Sequence, residues 1–195
     1  MSEVPSEIEL ARKLMDYFLY RNFPFVSFGT GRDVTVLDRQ FRLIEVEIKR
    51  SLSDLSRDFQ KYKHRHFQEV FSGTGVDLRL TPTFFYFAVP PQLSESAAKS
   101  IRRRCNYAGL IVVYPGWPPA KVLLRARPLC KERVPDEELL KIMAGQSRKI
   151  SRLAEERIEA RRCRECWSVM NLHCKNCSQA KALPTEEQPQ AETIQ

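Results

Sequence analysis

Asp33, Glu47 and Lys49 are the side chains of this chain whose types and spacing best suit phosphodiester hydrolysis. That reaction needs an activated water, neutralised charge on the phosphorane and a stabilised leaving oxygen. A hard divalent cation held by oxygen ligands supplies all three. An ammonium on a flexible stem can orient the water or steady the transition state. The run Ile44-Glu45-Val46-Glu47-Ile48-Lys49 alternates strictly between apolar and charged residues. In a strand, Ile44, Val46 and Ile48 then face a core, and Glu45, Glu47 and Lys49 share the other face. Asp33 lies one hairpin earlier, and carboxylates on adjacent antiparallel strands can approach a single metal. The expected ligands for Mg²⁺ (or Mn²⁺) are therefore Asp33, Glu47 and the main-chain carbonyl of Ile48, with Lys49 acting on the water. The same alternation also describes a solvated sheet face, and an E-x-K triplet alone is weak evidence.

The second constellation is Cys163 and Cys166 followed by Cys174 and Cys177, two C-x2-C pairs joined by a short loop. Thiolates suit Zn²⁺, and four of them close its tetrahedron, which predicts a structural and not a catalytic ion. Disulfides or unligated thiols are the alternatives, and paired C-x2-C in a reducing compartment argues against both. So short a module buries no core of its own and needs the metal to fold. Arg161, Arg162, Arg164 and Trp167 surround it and can contact phosphate and stack on a base, or can be plain solvated surface. Arg102, Arg103 and Arg104 extend a possible phosphate track. Cys105 and Cys130 stand apart and read as small core residues.

These side chains must be positioned by an α/β scaffold. Ser6-Glu7-Ile8-Glu9 is a capping box, so a helix is predicted from Glu7 to about Tyr20. Asn22, Pro24 and Gly29-Thr30-Gly31 read as breaks. Strands are predicted over 33–37 and 41–49, joined by a turn at Asp38-Arg39-Gln40 into a hairpin. A helix opening at Ser53 carries Asp58, Lys61 and Tyr62. The stretch 64–82 reads as polar and irregular. Thr83 to Val89 and Leu110 to Tyr114 are near-continuous apolar runs, as in strands buried on both faces. A basic helix lies between them over 94–104, and Lys121 to Arg125 is a candidate edge strand. The expected division is a nuclease-like domain over 1–134, a helical arm over 135–162, the cysteine module over 163–177 and a disordered tail over 178–195.

Composition narrows the partners. The chain has 195 residues, a net charge of +8 and a hydrophobic fraction of 43%, which supports a core and favours a polyanionic partner, nucleic acid before membrane. No apolar run approaches the roughly 20 residues of a membrane span. The acidic MSEVPSEIEL start does not read as a signal peptide, so a cytoplasmic protein is expected.

Asp33 with Glu47-Ile48-Lys49 ending a strand resembles the PD-(D/E)XK nuclease superfamily, with Arg32 standing where its proline would be. More closely, Arg32-Asp33-Val34, the IEVEIK strand, Ser53-Asp54-Leu55 with Asp58, Phe85 to Pro90 and Ala108 to Val113 resemble the MmcB-related DNA-repair family. The likeness spans roughly 25–127, apart from an insertion near 64–81. It implies a restriction-endonuclease-like mixed sheet flanked by helices, with Asp33, Glu47 and Lys49 catalytic, and a DNA nuclease of repair or recombination. A catalytically inactive nucleic-acid-binding adaptor, using the zinc module to recruit a protein partner, is the alternative. Superfamily members often bring a helical glutamate to the metal, which makes Glu9 or Glu7 an accessory candidate, although the capping box already explains Glu9. Gln60, Lys61 and Tyr62 can touch phosphate, or can belong to a plain solvated helix face.

Overall fold

A computed structural model describes residues 5–28, 33–74 and 81–160. The first helix, α1 (Glu7–Tyr20), starts on the predicted capping box. The Ser6 amide donates to Glu9 Oε2 at 2.6 Å, and the Glu9 amide donates to Ser6 Oγ at 3.2 Å. Its buried stripe of Leu10, Ala11, Leu14, Tyr17 and Phe18 faces the sheet.

The chain then turns through Asn22 in the left-handed region (φ 58) and enters β1 (Phe25–Phe28). This strand escapes the sequence pattern because Pro24 and the glycines near 30 punctuate both of its ends. β2 (Val34–Leu37) and β3 (Leu43–Ile48) form the predicted hairpin, with Val34 opposite Val46 and Leu37 opposite Leu43. Asp38 shapes the turn: its Oδ1 accepts the amides of Gln40 and Arg42 at 2.8 and 2.9 Å, and its Oδ2 takes Arg42 Nε at 2.7 Å.

Two helices follow, α2 (Leu52–Asp58) and α3 (Tyr62–Phe71). The second corrects the expectation of an irregular stretch over 64–82. His64, Phe67 and Phe71 recur at helical spacing, but the neighbouring Lys63, Arg65, His66, Gln68 and Glu69 make the segment read as polar. β4 (Phe84–Val89), α4 (Ser94–Arg104), β5 (Gly109–Val113) and β6 (Ala120–Leu124) complete the sheet.

The six strands stand in sequence order, β1 to β6. β3, β4 and β5 are mutually parallel, joined by α2–α3 and by α4, while β1–β2, β2–β3 and β5–β6 are antiparallel. This is an α/β mixed sheet covered on both faces. On one side α1 packs against Val34, Val36, Ile44, Val46, Ile48, Ile111 and Val113. On the other, Leu55 of α2, Phe67 of α3 and Ala97, Ala98 and Ile101 of α4 pack on Phe85, Phe87, Val89 and Leu110. Cys105 belongs to this second core, as predicted, while Cys130 is half-buried.

Gly109 marks where backbones and rings crowd. An added Cβ would overlap the Tyr86 ring and stand 2.7 Å from the Ala126 amide nitrogen. Gly109→Ala is therefore expected to destabilise the fold by about 1–3 kcal/mol, read as a lower urea midpoint at unchanged slope. An unchanged midpoint would show that the β5 end relaxes freely.

The last described element is α5 (Asp136–Ala160), at whose start Leu139 and Ile142 pack with Val134, Leu37 and Leu43. The chain divides within this helix into two units, Met1–Ile142 and Met143–Gln195. Among the described residues no helix is long and apolar enough to cross a membrane. Arg32, Arg161, Arg162, Arg164, Trp167, the four cysteines of the C-x2-C pairs and the 178–195 tail lie outside the described residues.

Candidate active site

The side chains singled out on β3 are buried, which overturns the solvated-face alternative. Glu45 pairs in register with Phe85 and Glu47 with Phe87, so the odd-numbered positions face α2, α3 and α4 beside an aromatic core. Glu47 is 7% exposed and Lys49, one residue past β3, is 4% exposed. The Lys49 amide donates to the Ala88 carbonyl at 2.8 Å, which keeps its side chain in strand phase. Buried charges persist only when paired and hydrogen-bonded.

The partners arrive from the break between α2 and α3. Asp58 ends α2 almost fully buried. Lys49 Nζ lies 3.3 Å from Glu47 Oε1 and 3.1 Å from Asp58 Oδ1, bridging the two carboxylates. Lys61, at the N-cap of α3, donates to Glu47 Oε1 at 2.9 Å and also contacts Asp58 Oδ1. Lys63 lies 3.2 Å from Glu45 Oε1 and donates to Glu47 Oε2. His64 Nε2 is 2.8 Å from Asp58 Oδ2, and its Nδ1 is 2.7 Å from the Tyr107 hydroxyl. An ionised carboxylate only accepts, so in the neutral ring Nε2 donates to Asp58 and Nδ1 accepts from Tyr107.

These contacts set the charge states. Burial pushes the Asp58 carboxyl up, but hydrogen bonds from His64 and Lys61 and the Lys49 charge outweigh it and hold it well below the usual range. Burial works against the Lys63 ammonium, yet Glu45 and Glu47 raise it overall. Lys61 behaves likewise, its loss of hydration offset by hydrogen bonds to Asp58 and Glu47. The Tyr107 hydroxyl is raised chiefly by burial.

Asp33 sits just before β2, half-buried, and its Oδ2 accepts the Ile48 amide at 2.7 Å. Burial raises its carboxyl above the ordinary value; the Ile48 hydrogen bond opposes this, and nearby Glu47 adds to the rise. In a strand a residue's carbonyl points to the same side as its amide, so the Ile48 carbonyl is directed toward Asp33 as well. Three of the predicted residues, Asp33, Glu47 and Ile48, thus gather at the carboxyl end of β3 beside Lys49. Crevices at the carboxyl ends of parallel strands are where open α/β sheets place their ligand sites.

This donor set fits a hard divalent cation: two carboxylates and a carbonyl are oxygen ligands of the kind Mg²⁺ takes. Lys61, half exposed, shares Glu47 Oε1 with the buried Lys49. A second combination exists among the described residues, since Glu47, Asp58 and His64 bring ligand atoms within 4.8 Å of one another. Both ring nitrogens of His64 are already engaged by Asp58 and Tyr107, so these residues are arranged as a hydrogen-bonded support.

The other sequence candidates fall elsewhere. Glu9 is exposed and committed to the α1 capping box, where hydrogen bonds from Ser6 lower its carboxyl. Gln60, Lys61 and Tyr62 do not ride on one helix after the motif strand; Gln60 and Lys61 lie in the break after α2, and Tyr62 opens α3. Arg102, Arg103 and Arg104 are exposed in the last turn of α4. Sequence reasoning assigned no role to Glu45, Asp58, Lys63, His64 or Tyr107. The available signal was His64 itself, a lone histidine in the apolar phase of α3.

No family model matches this chain, and no curated protein matches it. Among solved structures, the chain is similar to SPO1766, a protein of unknown function from Silicibacter pomeroyi. The likeness covers 80% of this chain and 94% of that one, at 17% sequence identity and a TM-score of 0.54. At that identity it speaks for the fold alone.

Proposed function

We propose that this chain is a metal-dependent nuclease of the PD-(D/E)XK type that hydrolyses DNA phosphodiester bonds. The observation that carries the reading is the burial of Glu47 and Lys49 at the carboxyl end of β3, with Asp33 anchored across from them on the Ile48 amide. The mixed sheet with a helix before it and crossovers on its other face is compatible with a restriction-endonuclease-like core. DNA as the substrate, and repair or recombination as the setting, come from the resemblance of the motif segments.

In this reading Asp33, Glu47 and the Ile48 carbonyl hold Mg²⁺ or Mn²⁺. The ion, when bound, supplies charge neutralisation at the phosphate and a more acidic water. Lys49 orients the attacking water and steadies the charge that builds on the phosphoryl oxygens. Asp58 and His64 hold Lys49 and Lys61 in place and are positioning residues. Attack by water proceeds in one displacement, with no covalent enzyme intermediate. Cys163, Cys166, Cys174 and Cys177 would hold a structural Zn²⁺ in a reducing, cytoplasmic setting.

One feature favours the adaptor alternative: Lys49, Lys61 and Lys63 already balance Glu47, Glu45 and Asp58 without any metal. Labelled single-stranded, duplex and forked DNA, incubated with Mg²⁺, Mn²⁺ or EDTA, separates the two. Cutting with either ion and none in EDTA is the expected result. Binding without cutting under every metal condition would leave the adaptor.

A further inference from the structure

On the α3 side of the sheet, a cavity of about 640 Å³ opens between the α2–α3 turn, the start of α3 and the last turn of α4. Lys61, whose ammonium touches Glu47 and Asp58, lines it, together with Arg65, Arg102, Arg103 and Arg104. No acidic side chain is in the lining, and none of the four arginines forms an ion pair among the described residues. Tyr62 stands in the same lining, 79% exposed. The Arg104 guanidinium lies over the Phe59 ring, 5.6 Å from its centroid.

Cations gathered without counter-charges repel one another, and such a cluster is relieved by an anion. The carbonyls ending α4 account for basic residues in its last turn. They do not account for Arg65, which α3 contributes from its own first turns. Four guanidinium groups and one ammonium are more than a single isolated phosphate engages, and their number suits successive phosphates of a strand. The volume is that of an ordinary ligand pocket, roughly the size of one or two nucleotides. An exposed aromatic ring beside a basic groove is how proteins hold single strands without reading their sequence.

We propose that this cavity binds a single strand of DNA, its phosphates on Arg65 and the α4 arginines and a base stacked on Tyr62. The strand then leads past Lys61, which exchanges Glu47 and Asp58 for substrate phosphate as the scissile bond reaches Lys49. That delivery step rests on the nuclease reading; the binding does not.

The test measures fluorescence anisotropy of labelled single-stranded and blunt duplex oligonucleotides in buffer without added Mg²⁺, Mn²⁺ or chelator, using the full chain. The variants are Arg65→Ala with Arg103→Ala, Tyr62→Ala, and a control pair, Lys121→Ala with Arg125→Ala, from the β6 side. All five side chains are exposed, so the variants should keep the wild-type urea midpoint, which is checked first. The single strand is expected to bind at least about tenfold tighter than the duplex, with the arginine pair costing about tenfold and flattening the salt slope by about 1.4. Tyr62→Ala is expected to lose about tenfold, and the control pair to lose nothing comparable. Equal duplex affinity, or a control pair as damaging as the cavity pair, overturns the assignment. Cavity-dependent binding with no cutting in Mg²⁺ sinks the nuclease reading and leaves the cavity assignment standing. Metal-dependent cutting of single strands with an unchanged KM in the arginine pair does the reverse.

Discussion

Lys49→Ala is expected to leave a folded protein whose metal-dependent cutting falls by about a hundred- to a thousandfold, the usual cost of removing a preorganised charge from a transition state. The ion pairs around Lys49 make this a clean substitution. With its ammonium gone, Glu47 still has Lys61 and Lys63, and Asp58 still has Lys61 and His64, so no buried carboxylate is left alone. The main-chain bond from Lys49 to Ala88, which keeps this residue in register with β4, does not involve the side chain. Turnover at saturating Mg²⁺ should therefore fall in a protein that still folds, its urea midpoint lowered by the space the buried stem vacates. Lys49→Met, which keeps the apolar stem, is the companion: equal loss in both variants assigns the effect to the charge. Full activity in either one would remove Lys49 from the mechanism and with it the strongest reason to regard β3 as catalytic.

What could be read from the sequence and what could not divides along a physical line. The capping box at Ser6, the alternation over Ile44 to Lys49 and the basic helix over Ser94 to Arg104 are local patterns, each contained within one element, and their elements form where the patterns lie. The direction in which Glu47 points was also legible, because period two dictates it. Its burial was not. That depends on Lys61 and Lys63 descending on it from another element, and nothing in the strand announces where its counter-charges come from. α3 was hidden for a related reason. Its inward face is built from aromatic residues and one histidine, His64, whose polarity is satisfied only by Asp58 across the helix break and by Tyr107 far along the chain. β1 shows the opposite failure, where Pro24 and nearby glycines were read as breaks although a four-residue strand fits between them. Strand β1 completes the antiparallel edge that supports β2, and so helps hold Asp33 at its place before Val34.

The position of Asp58 carries the largest expected effect on stability. It is 1% exposed, and Lys49, Lys61 and His64 all converge on its two oxygens. Removing one partner of a buried ionic group strands the others, at a cost of about 3–5 kcal/mol. Asp58→Ala should therefore lower the melting temperature by about 10 °C in a chain of this size. The effect should also depend on pH in a fixed direction. The folded-state carboxyl is depressed below its ordinary value, so its contribution is fully present above the unfolded value near 4 and is lost as pH falls through the folded one. Wild type and Asp58→Ala should thus differ most from pH 5 to 7, on the order of the full penalty, and converge in strong acid. Urea titrations of both proteins from pH 7 down into strong acid decide the matter. A difference that persists undiminished at the acid end would assign the loss to the vacated space and to the unpartnered His64 ring, and Asp58 would then be a packing residue. A difference that fades with acid would identify the Asp58 carboxylate as the counter-charge that keeps Lys49 folded beside Glu47. The catalytic reading needs that placement, because Lys49 can act on a water at β3 only while something beneath it neutralises its burial.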